Sequence, residues 1–453
     1  MRMDTKTQLG KLGLFDSKVP RYTSYPTAPH FTRDVGQDQF TNWISAIPEG
    51  AEVSLYVHVP FCRRLCWFCA CRTQGTQTDA PVIAYLQTLK TEIAMLGRSL
   101  PRGVRLSRLH WGGGTPTLLS PDLMTELAAA IRNIAPFTDA TEFSVEIDPN
   151  ELDGARLDAL ARAGMNRASI GVQDFDEHIQ KSIGRMQGYD ITRWAVDEIR
   201  ARGVKSLNAD ILYGLPHQNR ARITESVQKL LSLSPDRVAL YGYAHVPWMA
   251  KRQQMIPSDA LPTPQERLDL FETARHLFLW DNYVEIGIDH FATKSDGLSV
   301  AQKSGHLRRN FQGYTDDTAE VLIGVGASSI SRFPQGYAQN APATGAHTGA
   351  IREGRFSTSR GHVFSAEDKL RARMIEMLMC DFRIDSAEIF REFEIPAAEL
   401  QAMLSAVDRR FEGHLTLNAT GLSIPLESRP LTRMIARHFD AYEMDEKGHS
   451  SAI

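Results

Sequence analysis

The chain is poor in cysteine, with five in 453 residues. It has no apolar run approaching the roughly 18 residues of a membrane span. Its charge is nearly balanced at −3, so no basic excess points to nucleic acid. The opening stretch, MRMDTKTQLGKLGLFDSK, is too polar for a secretory signal. Together these absences lead us to expect a reducing, cytoplasmic setting. What is present is ordinary for a globular protein: 42% hydrophobic and 23% charged residues. The length allows a large catalytic domain with one or two smaller ones.

The scarce cysteines are not scattered. Four lie in LYVHVPFCRRLCWFCACR, as Cys62, Cys66, Cys69 and Cys71, and Cys380 lies far downstream. The first three are spaced C-x3-C-x2-C. Thiolates hold iron–sulfur clusters, and three close ligands leave one iron of a cubane open. Zinc is an alternative, but its structural sites use paired ligands, and no second CxxC or HxxxH follows. Disulfides within so short a stretch are strained. Buried, unligated thiols remain the plainest alternative.

From Val53 onward, β-rich runs alternate with amphipathic stretches. Strands are expected at Ser54–Val59, Leu106–Trp111, Glu142–Ile147, Arg167–Val172, Ser206–Leu212 and Val238–Tyr243. Helices are expected near 81–98, 121–134, 155–163, 190–202 and 220–232. Ser120 is an N-cap with Pro121 at N1, and Thr263-Pro264-Gln265-Glu266 is a capping box opening a helix over 264–280. A seventh strand is expected at Val284–Ile288. This alternation predicts an α/β fold, a parallel sheet with helices outside it. Periodicity alone does not separate an open barrel from a doubly wound sheet. Four regions are expected: an N-terminal arm (1–50), a catalytic domain with a loop extension (51–340), a linker region (341–364) and a mostly helical C-terminal domain (365–453) with a hairpin near Leu415–Ile424. The polar run from Asp289 to about 320 reads as loops. The glycines of Leu322–Ile330 permit close backbone approach to a ligand.

Several residues stand where parallel-strand proteins place ligand sites, at C-terminal strand ends. Gly112-Gly113-Gly114-Thr115 follows a strand, and no GK[ST] supports a phosphate loop. Glu146 is out of phase with Val145 and Ile147, so it faces either the barrel lumen or the helices. Gln173 and Asp210 end the next two strands, and Arg185 follows Gly184. Each also has a plainer reading as a surface or capping group.

The cysteine spacing, with aromatic Phe68 before Cys69, resembles the signature of radical S-adenosylmethionine (radical SAM) enzymes. Cys71, the segment PRYTSYPTA (Pro20–Ala28) and the run NFQGYT (Asn310–Thr315) narrow the resemblance to the oxygen-independent coproporphyrinogen III oxidase family. That family usually has glycine where this chain has Ala70. The resemblance implies an open (β/α)6 partial TIM barrel of radical SAM type. It implies one [4Fe-4S] cluster on Cys62, Cys66 and Cys69, and two molecules of S-adenosyl-L-methionine. Tyr56, Phe68, Gly113, Glu146 and Ile330 match positions around the cluster-bound molecule. Gly114, Thr115, Gln173, Arg185, Asp210 and Ala244 match those around the second.

The implied reaction is decarboxylation of two propionates of coproporphyrinogen III to the vinyls of protoporphyrinogen IX by 5′-deoxyadenosyl radical chemistry. A tetracarboxylate substrate calls for arginines, and Arg21, Arg308 and Arg309 are the candidates. The expected partners are an electron donor such as a flavodoxin-type protein and an unidentified acceptor; a monomer is expected. Two other readings stay open. One is a related haem-binding chaperone without decarboxylase activity, which lacks the fourth cysteine and the arm motif. The other is a zinc-structured interaction protein.

Overall fold

A computed structural model describes residues 8–443 and Ala452. The parts of the expected arm and C-terminal domain at 1–7, 444–451 and 453 lie outside the described residues.

The first six strands of the large sheet are β1 (Glu52–Val59), β2 (Arg105–Gly113), β3 (Phe137–Ile147), β4 (Arg167–Gln173), β5 (Ser206–Tyr213) and β6 (Arg237–Gly242). They pair side by side, all parallel. Helices Ala80–Ser99, Pro121–Ile134, Gly154–Arg162, Tyr189–Ala201, Arg220–Leu231 and Pro264–Trp280 alternate with them. Local chemistry sets the boundaries. Ser120 Oγ accepts from the Leu123 N–H at 3.3 Å, and Thr263 and Glu266 close a reciprocal capping box. The helices bury stripes such as Leu86, Leu89, Ile93 and Leu96 against the sheet. Each such side chain contributes about 1.5–3 kcal/mol relative to exposure.

The remaining strands of this sheet are β7 (Val284–Ile286), β8 (His290–Ala292), β9 (Leu322–Val325), β10 (Ile330–Phe333), β11 (Gly336–Asn340) and β12 (Thr358–Val363). The sheet order is β12-β11-β10-β9-β1-β2-β3-β4-β5-β6-β8-β7. The expected seventh strand forms, but not as a further parallel strand: β8 runs antiparallel to β6, and β7 antiparallel to β8. The additional parallel strand is β9, on the other side of β1, with Tyr56 opposite Gly324.

Three expectations need correction. The run from Asp289 to about 320 is not all loop. It contains β8, helix Gly297–Lys303 and the antiparallel pair Arg308–Asn310 with Gly313–Thr315. The region 341–364 is no linker. Helix Thr344–Arg352 buries His347 and Ile351, and β12 pairs along β11. Its small and polar residues suit an edge strand whose outer face is wet. The glycines of Leu322–Ile330 are needed for packing against protein: a Cβ on Gly324 meets Ile330 O at 2.8 Å, and one on Gly326 meets His58 O at 2.6 Å.

The arm divides between two cores. Helix Gln37–Ser45 sends Phe40, Trp43 and Ile44 into the main core. Val19, Tyr22 and Tyr25 instead join the C-terminal core around helix Ala366–Asp381. Tyr22 donates to Asp440 at 3.0 Å, and Tyr25 accepts from the Ala441 N–H at 3.0 Å. The C-terminal hairpin is present as Thr416–Asn418 with Gly421–Ser423, and Arg383–Asp385 adds a third strand.

Candidate active site

A cavity of about 390 Å³ opens at the C-terminal ends of β2 to β6. All four clustered cysteines line it, with Phe68, Gly113, Gly114, Thr115, Glu146, Gln173, Arg185 and Asp210.

The cysteine loop leaves β1 through Pro60. It is held by the short parallel pairing of Phe61–Cys62 with Gln74–Gly75. Trp67 N–H donates to Ile183 O at 2.9 Å, and Gln253 donates to Phe68 O at 2.8 Å. Arg252 ties the far side, donating to the carbonyls of Cys71 and Thr73 at 3.2 Å each. Trp67 and Phe68 pack against Ile179, Ile183, Leu212 and Tyr243. The loop is thus anchored from three other segments, although its own sequence is short of regular structure.

The thiols differ in acidity. A hydrogen bond from the Cys71 thiol lowers Cys69 to about 6 against the effect of burial, helped by the Cys71 N–H, Arg252 and Arg185. Burial pushes Cys62 up to about 11. Burial also raises Cys66, with Arg185 opposing from 3.5 Å. Among the described residues, no three His, Cys, Asp or Glu side chains converge on one ion position. A cubane does not require that, because each thiolate binds its own iron. Three thiols on one loop, facing a cavity beside a guanidinium, fit such a cluster.

The glycine turn supplies the second wall. Gly113 has φ +110°, which favours glycine. A Cβ on Gly114 lands 2.5 Å from Phe61 O, so only glycine lets the turn lie against the cysteine loop. Gly113 N–H donates to Glu146 at 3.1 Å, and His110 lies 3.3 Å from the other carboxylate oxygen. Burial works to raise the Glu146 pKa; the hydrogen bonds from His110 and Gly113 outweigh it and hold the carboxyl below its usual range. Val145 and Ile147 are buried in the main core cluster, while the half-exposed Glu146 takes the lumen side of its strand and lines the cavity.

Gln173 adopts φ +69°, unusual for a residue with a side chain, at the end of β4. Arg185 pairs with Asp148 at 3.3 Å and donates to Gly171 O at 2.9 Å. Asp210 accepts from Asn208 at 2.8 Å, and burial pushes its carboxyl up to about 7.

Other expected residues stand elsewhere. Tyr56 is behind the cavity wall, its hydroxyl 3.0 Å from His58 Nδ1 and its ring stacked on His110. Ile330 pairs with Gln339 in the sheet. Ala244, Arg21 and Arg309 line a neighbouring cavity. Arg308 reaches neither: its guanidinium bonds the carbonyls of Gly305 and Leu307. Sequence reasoning missed His110, Tyr241, Arg252 and His290, which all line the cysteine cavity. His110 had a usable signal, since it alternates with Trp111 on a half-buried strand. Arg252 had none, lying in a 3₁₀ turn more than a hundred residues from the loop it braces.

Residues 56–230 match the radical SAM superfamily model. An oxygen-independent coproporphyrinogen III oxidase from Paracoccus denitrificans is 67% identical over 451 residues, covering 100% of both chains. Another of that name from Cereibacter sphaeroides is 59% identical, over 98% of this chain and 99% of that one. The solved coproporphyrinogen III oxidase of Escherichia coli, described as a radical SAM enzyme, superposes with a TM-score of 0.89. It is 34% identical and is matched over 94% of this chain and 100% of its own.

Proposed function

The chain belongs to the oxygen-independent coproporphyrinogen III oxidase family, and from that premise we propose how its residues carry out the reaction. It is a radical SAM oxidoreductase of haem biosynthesis, converting two propionates of coproporphyrinogen III to the vinyls of protoporphyrinogen IX. The observation that carries the mechanism is the meeting of the four-cysteine loop with Glu146, Gln173 and Asp210 in one cavity at the strand ends.

A [4Fe-4S] cluster and S-adenosylmethionine, when bound, supply the radical chemistry that takes a hydrogen atom from the propionate side chain. The protein supplies position and electrostatics. In this reading Cys62, Cys66 and Cys69 hold the cluster. Glu146, kept ionised by His110 and Gly113, accepts from the cofactor's ammonium group. Phe68, Gly113, Tyr56 and Ile330 shape that side, Tyr56 and Ile330 from behind the wall. Gly114, Thr115, Gln173, Arg185 and Asp210 serve a second cofactor molecule, with Ala244 at the border of the next cavity. Trp67 and Phe68 close an apolar side against water. We assign the electron to a flavodoxin-type donor, and place the protein in the cytoplasm as a monomer. Among the described residues, no helix is long and apolar enough to cross a membrane. The catalytic unit in this reading runs from 51 to about 364, with the arm shared between both cores.

The test is turnover. Anaerobically reconstituted protein receives coproporphyrinogen III, S-adenosylmethionine and a reductant, and oxidised products are followed by porphyrin fluorescence. Protoporphyrin formation supports the assignment. Tight haem binding with no conversion overturns it.

A further inference from the structure

The turn from Ile183 to Gln187 packs directly on the cysteine loop. Gly184 has φ +67°, and a Cβ there would lie 2.8 Å from the Trp67 ring, so the turn rests on the residue next to Cys66. The Ile183 carbonyl accepts from the Trp67 N–H at 2.9 Å. From this turn Arg185 sends its guanidinium toward the thiols. Its Nη1 lies 3.5 Å from Cys66 Sγ and 3.3 Å from Asp148. Its Nη2 donates to Gly171 O and to Gln187 Oε1, both at 2.9 Å. Cys69 takes a donor from within its own loop, the Cys71 N–H at 3.4 Å, whereas the arginine donor on Cys66 comes from another segment.

Gln187 is 2% exposed and stands behind Arg185. The sense of its amide follows from its neighbours. The Thr192 hydroxyl donates to Gly188 O at 3.0 Å, so its oxygen is left to accept, and Gln187 Nε2 donates to it at 3.1 Å. That turns Oε1 toward the guanidinium. A second buried amide fixes the backbone here. Gln180 accepts from the Gln187 N–H at 3.0 Å and donates to the carbonyls of Gln187 at 2.6 Å and Asp174 at 2.8 Å. Gln180, Thr192 and Asp174 are all buried. Such a network is costly to rearrange, because each group it releases stays unpaired.

We propose that Gln187 is a positioning residue for the redox poise of the cluster: through Arg185 it holds a cationic N–H donor on the Cys66 sulfur and so makes the cluster easier to reduce. The proposal rests on the reading of Cys66 as a cluster ligand and deepens it. A reduced cluster carries one more negative charge than an oxidised one. Hydrogen bonds to its sulfurs and a neighbouring cation favour that state. A guanidinium released from Gln187 keeps Asp148 as its counter-ion but loses the constraint that holds it on the sulfur.

The test is an anaerobic redox titration of the reconstituted protein, followed by visible absorbance and by the paramagnetic signal of the reduced cluster. It is made without S-adenosylmethionine, so that the place of Arg185 beside a cofactor molecule does not enter. Gln187→Leu removes the acceptor at similar volume. At a fixed poise it should cut the ratio of reduced to oxidised cluster about tenfold, which is about 59 mV for one electron. Thr192→Val frees the amide to turn and should shift the ratio the same way; it carries the test if Gln187→Leu does not fold. In an Arg185→Ala background, Gln187→Leu should bring no further fall, whereas a merely structural role would add its own effect. Iron, sulfide and melting temperature report loading and folding. Unchanged potential in folded, loaded variants, or a further fall in the Arg185→Ala background, overturns the proposal and leaves the cluster reading intact. Failure of the unchanged protein to take up iron and sulfide overturns that reading, and the proposal with it.

Discussion

At the residue scale, Glu146 and Asp210 show how one barrel lumen keeps two carboxyls in different states. Both line the cysteine cavity, but among the described residues Glu146 has two hydrogen-bond partners, His110 and Gly113, and Asp210 one, Asn208. Glu146→Ala should leave iron content unchanged and weaken S-adenosylmethionine by ten- to a hundredfold, about 1.5–3 kcal/mol for a lost charge-assisted bond. Isothermal titration checks this, and unchanged affinity would remove Glu146 from the cofactor. Asp210 carries a pH signature. Its folded value of about 7 lies above the ordinary 3.8, so folded protein keeps a proton that the unfolded chain has released. The stability it contributes is full below about pH 4, falls as pH rises and is lost above about 7. Asp210→Asn should therefore gain melting temperature relative to the unchanged protein between about pH 5 and pH 8; a constant gap would show that Asp210 is not raised. The placement of Glu146 was half legible: strand phase left lumen or helices, and only the packed Val145 and Ile147 decide. Arg308 and Arg309 show the limit. Adjacent strand residues face opposite ways, and nothing local says which faces the cavity.

At the scale of elements, the cysteine loop depends on the glycine turn beneath it. A Cβ on Gly114 meets Phe61 N at 2.8 Å as well as Phe61 O, both backbone atoms that cannot swing aside. Gly114→Ala should displace the loop and reduce cluster occupancy, read as iron and sulfide per chain and as visible absorbance. Full occupancy would mean the loop's other anchors, at Gln74–Gly75, Ile183, Arg252 and Gln253, hold it without the turn. On the same readout, Cys62→Ser, Cys66→Ser and Cys69→Ser should each abolish the cluster, since a hydroxyl is a poor soft-metal ligand. Cys71→Ser should keep it; the reverse pattern would move the ligand set. The helices and inner strands were legible because period, caps and prolines agreed. The β9 to β12 extension was not. Its strands are short, glycine-rich or polar, and β9 joins β1 across more than 250 residues of sequence, a pairing no local signal encodes.

At the scale of the molecule, two cores meet around two adjoining cavities, and the arm reaches both. Arg21 leans over one cavity while Tyr22 and Tyr25 lock into the C-terminal core. The C-terminal region therefore helps to build the site and is not an appendage. The central claim is that this assembly removes carbon dioxide from two of four propionates and retains the other two. The most direct measurement supplies coproporphyrinogen III labelled with carbon-13 in every propionate carboxyl to the reconstituted enzyme under anaerobic conditions. Mass spectrometry then follows both the gas and the tetrapyrrole. The account predicts two labelled carbon dioxide molecules per substrate and a product keeping two labels, with none released by Cys62→Ser. Release of no label, or of all four, by the unchanged enzyme would contradict it.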